Sequence, residues 1–307
     1  MRVVVALGGN AILQRGERGT ASEQRAAVRE ACEGLAELAA RGNELVVTHG
    51  NGPQVGALML QHQSSELIVP AMPLDVLVAQ TEGQLGYVMQ QELTGALRRR
   101  GLGPPVASVV TQVVVDPADP AFVRPTKPVG PYLSADQARE MKRASVPVIE
   151  VPGGAWRRVV PSPRPREIVE RVAIRALVDA GAVPIAAGGG GVPVVVEGSG
   201  YRGIEGVVDK DLTAAMLAGA VDADALVILT DVDRVIMDRG TRRQRAASKL
   251  TVAEACAALE GGQFPRGSMG PKIEAAVQAV QEGRRAVICS MAAAAESLSG
   301  AGTEIVA

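Results

Sequence analysis

Lysine is scarce in this chain, and where it occurs its setting is unusual. The five lysines are Lys127, Lys142, Lys210, Lys249 and Lys272. Lys210 lies between Asp209 and Asp211 in VVDKDL, at an expected helix start. Lys272 lies in GSMGPKIEAA, also at a helix start, and Lys127 stands in the proline-rich RPTKPVGP. A solvated surface role is the ordinary expectation for any single lysine. A cation at a helix N-terminus, however, opposes the helix dipole, and finding it there twice points to a bound anion that compensates. Glycine clusters supply the other half of such a site. Gly8-Gly9-Asn10, His49-Gly50-Asn51-Gly52 and the run Gly188 to Gly191 each follow an apolar stretch that reads as a strand. Glycine lets backbone N–H groups approach an anion closely, and a following helix adds the positive end of its dipole. One cluster is equally an ordinary tight turn; three at equivalent strand ends favour an anion site. Lysines with loop amides are what phosphoryl transfer asks of a protein: positioning, and positive charge on the moving oxygens. Asp211 would orient Lys210 and keep it protonated, a role compatible with helix capping.

Other chemistry-bearing residues are less decisive. Asp231 and Asp233 follow the apolar ALVILT in TDVDRV. The pair fits metal or acid–base work, a nucleotide-site turn, or plain turn chemistry. His49 is the histidine beside a glycine loop; a structural hydrogen bond is the favoured reading over a general base. Gly198 to Gly203 spells G-x-G-x-x-G, but the following IEGVVDKD does not open as a helix. A hairpin turn explains it better than a dinucleotide site. There is no GxxxxGK[ST] loop and no HRD or DFG set, so any ATP site is of another kind.

Composition narrows the classes further. Lys plus Arg total 32 and Asp plus Glu 33, and aromatics are only 2%. Without a basic excess or base-stacking platforms, a nucleic-acid partner is not expected. Cys32, Cys256 and Cys289 are odd in number and widely spaced. That argues for reduced, mostly buried thiols rather than zinc or a disulfide framework. The first apolar run is too short for a signal peptide, and no stretch reaches the ~18 apolar residues of a membrane span. A soluble cytoplasmic protein with no membrane partner is the expectation.

These residues need a frame. VVVAL at 3–7, ELVVTHG at 44–50 and ALVILT at 225–230 read as buried strands, as do 106–115, 183–187, 192–197 and 286–290. Helical patterns cover 21–41, 53–62, 74–100, 166–180, 209–219, 251–260 and 272–282. Strands alternating with helices imply an α/β fold with a largely parallel sheet covered on both faces. Residues 116–165 break the alternation; they are rich in proline, helical only at 134–144, and read as an inserted subdomain.

Taken together, VVALGGNAIL, THGNGPQVG, PAMPLDV, TQVVVDPADPAF, PTKPVGP, VVPSPRP, GGGGVPVV, VVDKDLTA, DADALVILTDVD and GSMGPKIEAA resemble the amino-acid kinase superfamily, and within it the carbamate kinases. PTKPVGP and VVDPADPAF are the segments specific to carbamate kinases. The resemblance implies a three-layer αβα sandwich with an open, mainly parallel central sheet and a small protruding subdomain. It implies one domain over 1–307. An acceptor lobe of about 1–180 would contain the subdomain at about 116–165, and a nucleotide lobe would span about 181–307. It implies phosphoryl transfer between ATP and carbamate, a phosphotransferase reaction with a carboxyl group as acceptor, giving ADP and carbamoyl phosphate in arginine or carbamoyl phosphate catabolism. By position, Lys210, Lys272, Lys127 and Asp211 would form the catalytic set. Gly8, Gly9 and Asn10 would bind phosphates, and Gly50, Asn51 and Gly52 would line the acceptor side. Thr230, Asp231, Val232, Asp233, Met269 and Lys272 would serve the nucleotide. Mg2+ would ride on the ATP phosphates without direct protein ligands, and the protein would act as a homodimer. The alternatives are another small anionic acceptor on the same fold, or a non-catalytic sensor.

Overall fold

The computed structural model describes every residue of the chain except 10–11, 14–16, 152 and 265–266. The first half runs β1 (Arg2–Leu7), α1 (Ala21–Ala40), β2 (Glu44–His49), α2 (Gly52–Ser65), α3 (Leu74–Arg99), β3 (Val106–Val109), β4 (Gln112–Val115), β5 (Lys127–Leu133), α4 (Ala135–Arg143), β6 (Val148–Val151), β7 (Ala155–Val160), β8 (Pro165–Ile168) and α5 (Arg171–Asp179). The second half runs β9 (Val183–Ala186), β10 (Val192–Glu197), β11 (Gly200–Gly203), α6 (Lys210–Ala220), β12 (Ala225–Thr230), β13 (Val235–Met237), β14 (Arg245–Ala247), β15 (Lys249–Thr251), α7 (Val252–Glu260), α8 (Met269–Gln281), β16 (Arg285–Ser290) and β17 (Thr303–Val306).

An eight-stranded sheet in the order β15-β17-β16-β12-β1-β2-β9-β3 forms the centre. Its pairs are parallel except β16 with β17. Both faces are covered, which is why the strands read as unbroken apolar runs. Side chains alternate along β1: Val3, Val5 and Leu7 enter the core beneath α1 and α3, and Val4 and Ala6 enter the core beneath α6 and α8. β12 does the same, with Val227 and Leu229 on the first side and Leu226 and Ile228 on the second. The order of the sheet brings the carboxyl ends of β1, β2, β9 and β12 to one edge. The glycine clusters and Thr230 therefore emerge side by side.

Helix starts are set locally. Thr20 with Glu23 and Thr251 with Glu254 form capping boxes for α1 and α7, and Ser134 with Gln137 does so for α4. Each satisfies backbone donors that the first helical turn leaves unpaired.

The proline-rich segment is a separate small layer. β5, β7 and β6 pair antiparallel, with α4 between β5 and β6 in sequence. It seats on α2 where two glycines meet: a Cβ on Gly56 would lie 2.0 Å from the Gly130 nitrogen. No side chain fits between them.

Four expectations differ in detail. The run 106–115 is two strands, not one. β3 joins the central sheet and β4 joins a second sheet, β11-β10-β4-β8. The switch falls at Val110–Thr111, where Thr111 bonds sideways to Val109 and Glu82. The expected helix at 166–180 begins only at Arg171, because Pro165–Ile168 pairs with β4. α8 starts at Met269, earlier than expected. β17, missed in the sequence, closes the sheet beside β16. The turn at Gly198 joins the antiparallel β10 and β11, as a hairpin reading requires. No helix among the described residues is long and apolar enough to cross a membrane.

Candidate active site

A cleft of about 590 Å³ opens at the carboxyl ends of the central strands. The N-termini of α6 and α8 reach it through Lys210 and Lys272. Asp209 caps α6 by accepting from the Asp211 amide at 3.0 Å. That cap places Lys210 and Asp211 in the first turn, where both are buried.

Asp211 holds two ammonium groups. Lys210 Nζ donates to Asp211 Oδ1 at 2.5 Å, and Lys272 Nζ donates to Oδ2 at 2.9 Å. Lys127, from the start of β5, donates to Asp209 Oδ2. Burial and charge divide the lysines. Burial dominates at Lys210 and pulls its pKa down to about 8, against the opposing pull of Asp211. Lys272 is buried too, but Asp211 outweighs that cost and raises its pKa. Burial alone would raise the Asp211 carboxyl; the ammoniums of Lys210 and Lys272 override it and hold it well below the usual carboxylate range. Three lysines line one cleft, and each donates to a carboxylate.

Glycine loops form the opposite wall. Gly8, Gly9, Gly50, Asn51 and Gly52 line the cleft, as does Gly189. Gly50 presses on the first loop: a Cβ there would lie 2.8 Å from the Gly9 nitrogen. Gly189 has φ +68°, and a Cβ there would lie 2.1 Å from Asn51 Nδ2. Asn51 in turn donates to Thr81 Oγ1 at 2.8 Å. The loop after β9 is held from behind. Ala187 adopts φ 53°, a left-handed conformation that costs a non-glycine residue roughly 1–2 kcal/mol. Thr111 Oγ1 accepts its N–H at 2.9 Å, and Thr48 Oγ1 donates to its carbonyl at 2.8 Å. Glu82 completes this brace by accepting from the Thr111 N–H at 2.7 Å.

The sequence-derived candidates gather unevenly. Lys127, Lys210, Lys272, Asp211, Gly8, Gly9, Gly50, Asn51, Gly52, Thr230 and Asp231 all line this cleft. Asn10 lies outside the described residues. Val232, Asp233 and Met269 stand outside the lining; Asp233 is exposed, and Met269 packs against the core. His49 is buried away from the cleft, its Nδ1 3.2 Å from the Gly50 carbonyl. Burial lowers its pKa to about 4, which leaves it neutral at physiological pH. That environment suits the structural hydrogen bond and not the general base. Arg157, Asp209 and Ser290 also line the cleft and carried no assigned role in the sequence. Asp209 could have been found as the residue before a helix start; Arg157 had no local signal.

Residues 1–290 match the amino acid kinase family. The chain is 48% identical to the carbamate kinase of Thermococcus kodakarensis over 99% of each chain. Among solved structures it resembles the carbamate kinase of Giardia lamblia bound to citric acid. The TM-score is 0.94 at 38% identity, covering 99% of this chain and 98% of that one. The same Giardia lamblia enzyme bound to AMP-PNP gives a TM-score of 0.89 at 39% identity, with the same coverage.

Proposed function

The chain belongs to the amino acid kinase family and, within it, to the carbamate kinases, and on that premise we propose how its cleft transfers a phosphoryl group between ATP and carbamate. A carbamate oxygen attacks the γ-phosphorus, the bond from that phosphorus to the ADP oxygen breaks, and carbamoyl phosphate and ADP result. The reverse reaction makes ATP. The observation that carries this reading is the pair of buried lysines on one aspartate, at the N-termini of two helices that converge on the cleft.

Lys210 and Lys272 neutralise charge on the moving phosphoryl oxygens, which is the main service a protein renders in this reaction. Asp211 positions both ammoniums. Gly8 and Gly9 form the phosphate loop: the Gly8 N–H is held by the Leu229 carbonyl, which leaves the Gly9 amide to take a phosphate oxygen, with Asn10 assigned beside them by resemblance. Gly50, Asn51 and Gly52 receive the acceptor, and Lys127 reaches in from the inserted layer. No side-chain base is called for, because carbamate is already an anion. Thr230, Asp231, Val232, Asp233 and Met269 are assigned to the nucleotide side. Asp209 and Asp211 are both committed to lysines. That donor set fits a Mg2+ ion held chiefly by nucleotide phosphates, which would draw charge from their oxygens.

In this reading one domain holds an acceptor lobe over about 1–180 and a nucleotide lobe over about 181–307, with β9 returning between β2 and β3. The same reading places the protein in the cytoplasm as a homodimer serving arginine or carbamoyl phosphate catabolism. Purified protein given ADP and carbamoyl phosphate tests the activity directly: ATP should form. Sedimentation of the purified chain tests the dimer.

A further inference from the structure

Lys127, Lys210, Lys272 and Arg157 are the cations that line the cleft among the described residues. The lysines each have a carboxylate. Arg157 has none among the described residues. Its Nη2 donates to the Gly130 carbonyl at 2.8 Å, and its Cζ lies 5.4 Å from the Tyr132 ring centroid. Its Nε is buried without a hydrogen-bond partner among the described residues. A guanidinium stays charged in a protein, and a buried charge without a counterion is costly. An anion arriving from solution would relieve that cost.

Position says which part of the substrate this is. Arg157 lies on β7, beside β5, where Arg158 pairs with Val129 and Val159 with Pro128. Gly130, which anchors Arg157, packs on Gly56 one turn into α2. That helix starts at Gly52, straight after Gly50 and Asn51. A Cβ on Gly52 would lie 3.6 Å from the Pro128 carbonyl oxygen. Arg157 is therefore mounted at the acceptor end, whereas Lys210 and Lys272 belong to α6 and α8. Its own anchors, the Gly130 carbonyl and the Tyr132 ring, lie in the same inserted layer, so the layer carries the guanidinium pre-aimed.

We propose that Arg157 binds the carboxylate of carbamate, holding the oxygen that does not attack, and holds the same oxygen in carbamoyl phosphate. A planar fork matches a planar carboxylate better than a point charge does. Arg157 thereby selects a carboxylate acceptor, while Lys210 and Lys272 serve the phosphoryl group. This rests on the function proposed above.

The test compares wild type, Arg157→Ala and Arg157→Lys in ATP formation from ADP and carbamoyl phosphate, with calorimetric titration of each ligand alone. Losing a charge-assisted hydrogen bond predicts a rise of roughly 10- to 100-fold in KM for carbamoyl phosphate in Arg157→Ala. Its calorimetric Kd should rise in parallel, and KM for ADP should stay at the wild-type value. Arg157→Lys keeps the charge without the fork and should recover only part of the affinity. Unchanged carbamoyl phosphate affinity in folded Arg157→Ala, or an equal loss for ADP, overturns the proposal. If Arg157→Ala does not fold, wild-type affinity in Arg157→Lys overturns it. Wild type that makes no ATP contradicts the parent reading; active wild type with an indifferent Arg157 contradicts this inference alone.

Discussion

Lys210 and Lys272 divide one carboxylate between them: Lys210 Nζ lies 2.5 Å from Asp211 Oδ1, and Lys272 Nζ lies 2.9 Å from Oδ2. All three side chains are buried. Removing Asp211 leaves two ammoniums in a low-dielectric site with no shared counterion. Asp211→Ala should lower unfolding free energy by about 3–5 kcal/mol, read from urea melts near neutral pH. The sign follows from linkage. The folded carboxyl titrates below its unfolded value. Its contribution is thus present above the ordinary aspartate pKa and is lost as pH falls through the lower, folded one. Wild type and Asp211→Ala should therefore converge in strong acid. A constant gap down through that range would contradict the pairing.

Lys210 should set the basic limb of activity. Its pKa is drawn down to about 8 by burial, and only the charged form attracts phosphoryl oxygens. The rate of ATP formation at low carbamoyl phosphate should fall as pH rises through about 8. Lys210→Arg, whose charge does not titrate there, should remove that limb even if it slows turnover. A limb that persists in Lys210→Arg would assign the titration to another group.

Gly50 carries a steric prediction. A methyl group at this position would lie 2.8 Å from the Gly9 nitrogen and 2.9 Å from its Cα. The two loops must then part, which shifts the phosphate loop at Gly9 relative to the acceptor loop at Gly50. Gly50→Ala should cost about 100-fold in kcat/KM, the penalty typical of an ångström of misplacement. Steady-state rates beside a thermal melt check this; full activity would show that the loops need not touch.

Glu82 behaves in the opposite sense to Asp211. Burial raises its pKa well above the usual carboxylate value, while the Thr111 N–H pulls the other way. The folded chain then keeps a proton that the unfolded chain releases, so stability falls as pH rises above the ordinary glutamate pKa. Glu82→Gln keeps an oxygen for Thr111 and removes the titration. The variant should gain stability relative to wild type between acidic and neutral pH, as measured by paired denaturant melts. An unchanged difference across that range would mean that Glu82 does not hold its proton.

The strand ends were legible because a parallel strand buried on both faces must be apolar and must stop where its loop needs glycine. VVVAL before Gly8 shows both signals, and ALVILT at 225–230 shows the first. Lys210 and Lys272 stood out by their conflict with a helix dipole, a local property. Other features depend on tertiary partners. The run 106–115 is apolar throughout, so nothing in its pattern reveals that the chain passes from one sheet to another at Thr111. β17 is four residues long and is defined by pairing with β16. Arg157 faces the cleft only because β7 folds back along β5 and Gly130 seats on Gly56. One arginine among many carries no such signal by itself.

The central claim is that the buried lysines on Asp211 drive phosphoryl transfer to and from carbamate. The most direct measurement is ATP formation by wild type and Lys210→Ala from ADP and carbamoyl phosphate at about millimolar concentrations, a range that meets typical KM values. Wild type should turn over, and folded Lys210→Ala should be slower by about 100- to 1,000-fold in kcat. No ATP from wild type, or an unimpaired Lys210→Ala, would contradict the account.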